Sequence, residues 1–305
     1  MGLGLASIQN TLELYSLGYL KNCKNILELG AQELHVKNAD LKELYENAGL
    51  KSDVVDTYPN NSWPERPRVS AKFFYESLGI KDYTSFDING AYGSIVHDLN
   101  KPYEDKSNFN KFDIVTDRCC SAHVFNNAEC FKTMHNLTKP GGYIIVDQQL
   151  INRGNHAYFF LTETVLEGIA AANGYKVIYN SYNLSVGKTT RNGSDLQFLI
   201  PRHRALFNAL DFTKIDALNN YGVLQKIKDE EFKIPYEKNL MKEMYNIPGG
   251  FNRLYSKEPI SHMFVPSSTL TIEEARFKYL IKALIVKIKR IFRLKMSKKK
   301  LNLFD

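Results

Sequence analysis

The chain has 305 residues, 44% of them hydrophobic and 24% charged, with 18 Tyr and 18 Phe. That suffices for one large domain or a domain with an extension, and it excludes a disordered or fibrous chain. The formal charge of +7 is gathered largely in Lys and Arg residues after Ala275, so the body carries no dense basic stripe and no nucleic-acid partner is expected.

Cys23, Cys119, Cys120 and Cys130 form no CxxC pair and no His/Cys ligand spacing, which predicts neither a metal site nor a disulfide framework and fits a reducing cytoplasm. No signal-peptide pattern and no run of about 18 uncharged apolar residues occurs, so a soluble or at most peripheral protein is expected.

Apolar residues recur at helical spacing over residues 6–20, and Asn25-Ile-Leu-Glu-Leu-Gly30 then reads as a short buried strand ending at a glycine. Helical patterns follow at about 39–48 and 71–78, separated by a polar, Pro-containing stretch at 60–67. Residues 83–87 and 94–98 each read as a strand that ends on a carboxylate, with only a Gly-containing loop between them. Residues 112–117 form a further strand, 124–137 a helix, and Lys139-Pro-Gly-Gly142 a break before the strand 143–147. A helix spans 162–173, with Thr162 as N-cap and Gly174 at its end, and late strands lie at 175–179 and 196–201. Alternating strand and helix predict an α/β fold, a Rossmann-like mainly parallel sheet with helices on both faces.

Beyond residue 202 the rhythm is lost. Helical fragments near 211–221, a break at Pro248-Gly-Gly250 and a strong final helix from Thr271 to about Lys295 predict a mostly helical C-terminal extension. The division is therefore a domain over 1–201, with an insertion at about 36–79, and an extension over 202–305.

A sheet of this kind binds its ligand beyond the carboxyl ends of its strands, where Gly30, Asp87, Asp98, Asp117 and Asp147 fall. A glycine lets backbone approach a ligand, and carboxylates accept hydrogen bonds from ribose hydroxyls and an adenine amino group. These residues suit a cofactor that contains a nucleoside.

Ile26-Leu-Glu-Leu-Gly30, Phe86-Asp87, His97-Asp98-Leu99, Phe112-Asp-Ile-Val-Thr-Asp117, His123-Val-Phe125 and Lys139-Pro-Gly-Gly-Tyr143 stand in the order seen in class I S-adenosylmethionine (SAM) dependent methyltransferases, which the chain resembles from about Ser7 to Pro201. It is also similar to a bacterial subgroup associated with surface-polysaccharide genes, in which Gly-x-Gln replaces the Gly-x-Gly after the first strand. Here that is Gly30-Ala31-Gln32. The resemblance implies that Glu28, Gly30, Ala31 and Gln32 surround the methionine part of SAM. It implies that Asp87, with Ile88, holds the ribose, that Asp98 and Leu99 meet the adenine, and that Asp117, Arg118 and Cys119 lie against the cofactor near the acceptor. The chain departs from the dinucleotide pattern in having no later glycines after Gly30 and in the 57 positions between Gly30 and Asp87. The missing glycines also disfavour a nicotinamide oxidoreductase.

Methyl transfer to a hydroxyl needs a base near the strand ends, for which His156, His123 and His97 are candidates. His156 leads, because Asn155-His-Ala-Tyr158 resembles the subgroup's acceptor-side loop. Family analogy implies O-methylation of a sugar, a glycan precursor or another small polar acceptor. The alternative is a non-catalytic relative that serves as a scaffold or partner-binding protein.

In the final helix Phe277, Ile281, Leu284, Ile288, Ile291 and Phe292 share one face, and Lys278, Lys282, Lys289 and Arg293 gather opposite. Such a stripe more often packs on its own domain or on a second subunit, and otherwise lies on an anionic surface such as the inner face of a membrane. Packing on the core is the outcome expected for it.

Overall fold

A strand with a core on both faces reads as a nearly continuous apolar run, which is how Ile26, Leu27 and Leu29 come to lie at the centre of a sheet. The structure, a computed structural model, describes residues 2–59, 69–151, 156–187, 190–202, 204–212, 215–247 and 264–271, with positions 273, 274, 277, 281, 284 and 285. Its elements are β1 (Gly2–Leu3), α1 (Leu5–Ser16), β2 (Asn25–Leu29), β3 (Glu33–Leu34), α2 (Asn38–Asn47), α3 (Lys72–Ser77), β4 (Asp82–Asp87) and β5 (Ile95–Val96). There follow β6 (Phe112–Arg118), α4 (Asn127–Leu137), β7 (Thr138–Ile151), α5 (Glu163–Ala172), β8 (Lys176–Ser185), β9 (Gln197–Pro201), α6 (Arg204–Ala209), β10 (Ala217–Gln225) and α7 (Lys238–Tyr245).

Eight strands form one sheet in the order β5-β4-β2-β6-β7-β10-β8-β9, and β1 pairs with β3 in a separate parallel ribbon. From β5 to β7 all pairs are parallel, whereas β10 runs antiparallel to both β7 and β8. Without β10 the first six strands follow the doubly wound order 3-2-1-4-5-6.

Because side chains alternate across a strand, Ile26 joins one core and Leu27 and Leu29 join the other. The first core lies under α1, α2 and α3, with Ile8, Leu12, Leu41, Leu44 and Phe74 against Ile26, Ile114, Ile145 and Val223. The second lies under α4 and α5, with Phe131, Met134, Leu166 and Ile169 against Val115, Ile144, Val146 and Leu224. Full burial of one such side chain contributes about 1.5–3 kcal/mol.

The predicted elements through residue 201 are present with shifted ends. β7 starts at Thr138, so Lys139-Pro-Gly-Gly142 lies within the strand at a register shift rather than breaking the chain. Thr162 is the N-cap of α5 but makes no side-chain capping bond. Between β4 and β5 there is only a 3-10 turn, Ala91–Gly93, as the short spacing requires. The stretch 60–67 and the break at Pro248-Gly-Gly250 lie outside the described residues.

Past residue 201 the structure corrects the reading twice. Residues 217–225 are not helical but form β10, so the boundary at 201 would cut the sheet. Tyr221 and Val223 enter one core and Leu224 the other, and burial on both faces hides the alternation expected of a strand. In the final helix, positions 277, 281 and 284 are helical, yet Phe277, Ile281 and Leu284 are 66%, 42% and 58% exposed and do not cover the core. The rest of that stripe lies outside the described residues.

A chain ended after Pro201 loses the strand that bridges β7 and β8, and it is expected to show no cooperative urea transition. A sharp transition of near-native slope would mean that β10 is dispensable. A second prediction comes from His135 on α4, whose Nδ1 accepts from Tyr175 Oη at 2.5 Å while Nε2 donates to the Glu230 carbonyl at 2.7 Å. Burial lowers its pKa, so the folded chain holds the ring neutral. That contribution is complete above the unfolded value of about 6.5 and is lost as pH falls from there through the depressed folded value. Tm should drop between pH 7.5 and 5.5, and by less in His135→Gln. An equal drop in both proteins would clear His135 of the effect.

Candidate functional site

The strand order reverses at β2, which has β4 on one side and β6 on the other, so the crevice beyond the carboxyl ends of these strands is where such a sheet takes a ligand. Gly30 opens it with a φ of 80°, a left-handed conformation that glycine adopts without strain. The loop is tied across to β4: Gly30 N donates to Phe86 O at 2.7 Å, and Ala31 N donates to Asp87 Oδ2 at 2.8 Å. Asp87 Oδ1 also accepts from Asn89 N at 3.2 Å. Asp87 is half-buried, so its remaining lone pairs reach the crevice. Gln32 is fully buried and donates from Nε2 to Leu29 O at 2.9 Å, a brace inside the loop.

Beside Asp87, Ile88 and Val96 are 69% and 68% exposed and give the crevice an apolar rim. Asp98 Oδ1 accepts from Asn100 N at 3.0 Å and Nδ2 at 2.9 Å, and these bonds hold its carboxyl below the usual range. Leu99 turns into the core with Leu27 and Phe86. His97 lies between Phe86 and Tyr103, with ring centroids 5.3 Å from each, and burial lowers its pKa.

Three residues assigned by resemblance to cofactor contact are buried and bonded within the chain. Glu28 is fully buried, where its carboxylate accepts from Tyr83 Oη at 2.7 Å and Thr116 Oγ1 at 3.2 Å, and burial pushes its pKa up. Asp117, also fully buried, accepts from Cys120 N at 2.9 Å, Ser121 N at 3.0 Å, Ser121 Oγ and Gln148 Nε2. It fixes the 3-10 turn Ser121–His123, and burial raises its pKa as well. Arg118 is 2% exposed; Nη1 donates to Tyr221 Oη at 2.8 Å and Nη2 to Thr11 Oγ1 at 3.4 Å. Cys119 adopts a φ of 60°, with its amide donating to Asp147 O at 2.8 Å.

At the carboxyl ends of β6 and β7, the strands next to β2, lies a polar cavity of about 210 Å³, lined by residues that include Asp147, Asn183, Asn219, Gln197 and His156. Asp147 organises it: Oδ2 accepts from Ser7 Oγ and Asn183 Nδ2, both at 3.0 Å, and Oδ1 accepts from Asn219 Nδ2 at 2.8 Å. Asn183 is 4% exposed, and its Oδ1 has no partner among the described residues. A buried acceptor left empty costs about 1–3 kcal/mol, which a ligand that donates there would recover. Gly4 passes close over this cavity, and any side chain on it would strike the Gln197 amide.

His156 is exposed at the cavity, and His123 stands behind it with ring centroids 4.9 Å apart. Burial lowers the pKa of His123, as does His156 beside it. His97, packed between Phe86 and Tyr103, is not in the lining of that cavity. Asn155, which opened the loop motif, lies outside the described residues.

Sequence reasoning missed most of the cavity. Ser7 lines it from α1, where Ser7, Asn10 and Thr11 are each at most 2% exposed and polar residues at core spacing were the available signal. Asn219 lay hidden in the stretch read as helix, and Asn183 in the unread second half of β8.

Residues 92–168 match a family model described as a methyltransferase domain. The match covers about a quarter of the chain and runs from just before β5 into α5. A comparison with curated proteins gives no match. Among solved structures, one similar fold is the Burkholderia thailandensis 1,6-didemethyltoxoflavin-N1-methyltransferase with bound 1,6-didemethyltoxoflavin and S-adenosylhomocysteine. It is 10% identical, with 73% of this chain and 80% of that one covered, at a TM-score of 0.40. A SAM-dependent methyltransferase from Archaeoglobus fulgidus is 12% identical over 72% of this chain and 93% of that one, at 0.37. An O-methyltransferase family protein from B. thailandensis is 12% identical over 73% and 57%, at 0.34. Likenesses this distant bear on neither the acceptor nor the mechanism.

Asp117→Ala removes the acceptor for four donors, and it is expected to cost about 2–4 kcal/mol in urea unfolding. Unchanged stability with weakened nucleoside binding would return Asp117 to the cofactor.

Proposed function

We propose that the chain is a SAM-dependent methyltransferase that transfers a methyl group to a hydroxyl of a small polar acceptor, with a sugar or glycan precursor as the leading class. The observation that carries this reading is strand adjacency: a glycine loop braced by a half-buried carboxylate follows β2, and the neighbouring strand β6 ends at Arg118 and Cys119 in the lining of a cavity that also holds carboxylate and amide groups. The methyltransferase-domain match over 92–168 supports it, since it spans Asp98, the turn held by Asp117, and Asp147.

The residues fit the cofactor. Asp87 keeps lone pairs for a ribose diol, Ile88 and Val96 offer apolar surface for an adenine, Asp98 stands at its amino edge, and the Gly30 loop admits close approach of the methionine part. Bound there, SAM supplies an electrophilic methyl group. Asp147, Asn183 and Asn219 present acceptors and donors of the kind that bind a polyol and would fix the orientation of the hydroxyl. His156 takes the hydroxyl proton as its oxygen attacks, and His123 beside it stays neutral through burial. Four unbridged cysteines fit a reducing compartment.

Calorimetry with SAM tests the reading. Binding is expected, weakened by about 1–3 kcal/mol in Asp87→Ala for each hydroxyl left unpaired. No heat at millimolar SAM from a folded protein would favour the scaffold reading. Once an acceptor is in hand, His156→Ala should lower turnover about 10²–10⁴-fold with SAM affinity nearly unchanged. Parallel losses in binding and turnover would point to a disrupted site instead.

A further inference from the structure

Residues 271–305 hold 11 of the 40 Lys and Arg residues and 3 of the 33 Asp and Glu, a net of +8 that leaves the preceding 270 residues at −1. The whole excess of positive charge therefore lies in one segment. Phe277, Ile281, Leu284 and Ile285 are spaced as one helical face within it, and they are 66%, 42%, 58% and 46% exposed. A soluble domain seldom shows such a patch without a partner.

The base of this segment is fixed to the body. Ser267 N donates to both Glu43 oxygens, at 2.9 and 3.0 Å, and Ser268 Oγ donates to Asp40 Oδ1 at 2.5 Å. Thr269 bridges to Thr190. Thr271 and Glu274 form a capping box, with Thr271 N donating to Glu274 Oε2 at 2.8 Å and Glu274 N donating to Thr271 Oγ1 at 3.2 Å. Arg191 Nη2 donates to both Glu274 oxygens at 3.0 Å. The apolar face is thus presented from a set starting point. The loop that anchors it, residues 190–197, continues to Asp195 and Gln197 of the polar cavity.

We propose that this segment is a membrane-surface anchor that binds an anionic lipid bilayer, with Phe277, Ile281, Leu284 and Ile285 in the acyl boundary and the Lys and Arg residues at the headgroups. Apolar burial gives depth and charge gives selectivity for anionic lipid, and one segment here supplies both. At helical spacing Lys278, Lys282, Lys289 and Arg293 fall in one arc that borders the apolar face, the flank from which long basic side chains reach headgroups. This inference does not depend on the methyltransferase reading.

The test is co-sedimentation of the full chain with vesicles of pure phosphatidylcholine and of phosphatidylcholine with 30% phosphatidylglycerol, about 50 to 500 mM salt. Pelleting with anionic vesicles alone, falling as salt rises, is expected. The triple variant Phe277→Ser/Ile281→Ser/Leu284→Ser should lose at least tenfold in partitioning, and Lys278→Gln/Lys282→Gln on the order of fivefold per residue. Phe277, Ile281 and Leu284 are exposed, and an unchanged Tm certifies each variant, while the lipid and salt series in the natural sequence needs no variant. The proposal falls if low salt gives no pelleting or if neutral vesicles pellet the protein equally. It also falls if the triple variant binds as before, if sedimentation velocity shows a dimer that the triple variant dissolves, or if RNA binds more tightly than anionic vesicles.

Discussion

A guanidinium taken out of water needs hydrogen-bond partners, and Arg118 at the end of β6 imposes that demand on the centre of this protein, where both Nη atoms find one and Nε has none among the described residues. It reaches Tyr221 on β10 and Thr11 on α1, and its charge stands over the Tyr221 ring with 5.2 Å to the centroid. Tyr221 passes the bond on, donating to Asn10 Oδ1 at 2.8 Å. One buried cation so holds three elements from distant parts of the chain in register. Its charge favours the ionised form of Glu28, behind the glycine loop, and Asp147 in turn favours the charge on Arg118. This polar layer accounts for a helix α1 whose buried positions carry Ser7, Asn10 and Thr11 beside Ile8 and Leu12.

The same layer explains the wedged strand. β10 contributes Tyr221 to the network and Asn219 to Asp147, so the last strand of the sheet closes the site as well as the fold. A cavity built from Asp147, Asn183 and Asn219 joins β7, β8 and β10, and it exists only when β10 lies between the other two.

Much of the sheet was legible because its parallel strands are short apolar runs ending at Gly30, Asp87, Asp98, Asp117 and Asp147, with helical spacing between them. The order of those residues located the crevice. Their individual roles were less legible, since a carboxylate at a strand end has the same letter whether it faces a ligand or caps a turn. Asp87 keeps capacity outward, whereas Asp117 spends its own on Cys120, Ser121 and Gln148. Leu99, expected at the adenine, is core, and the exposed apolar surface there belongs to Ile88 and Val96. β10 escaped detection because Ala217-Leu-Asn-Asn-Tyr-Gly-Val-Leu is buried on both faces and has neither clean alternation nor turn signals.

A crystal of the full chain soaked with S-adenosylhomocysteine tests the central claim most directly. Density is expected in the crevice between the Gly30 loop and β4, with the ribose hydroxyls on Asp87, the adenine between Ile88 and Val96, and the sulfur facing the cavity of Asp147 and His156. Density elsewhere on the chain, or a crevice left empty at saturating ligand, would contradict it.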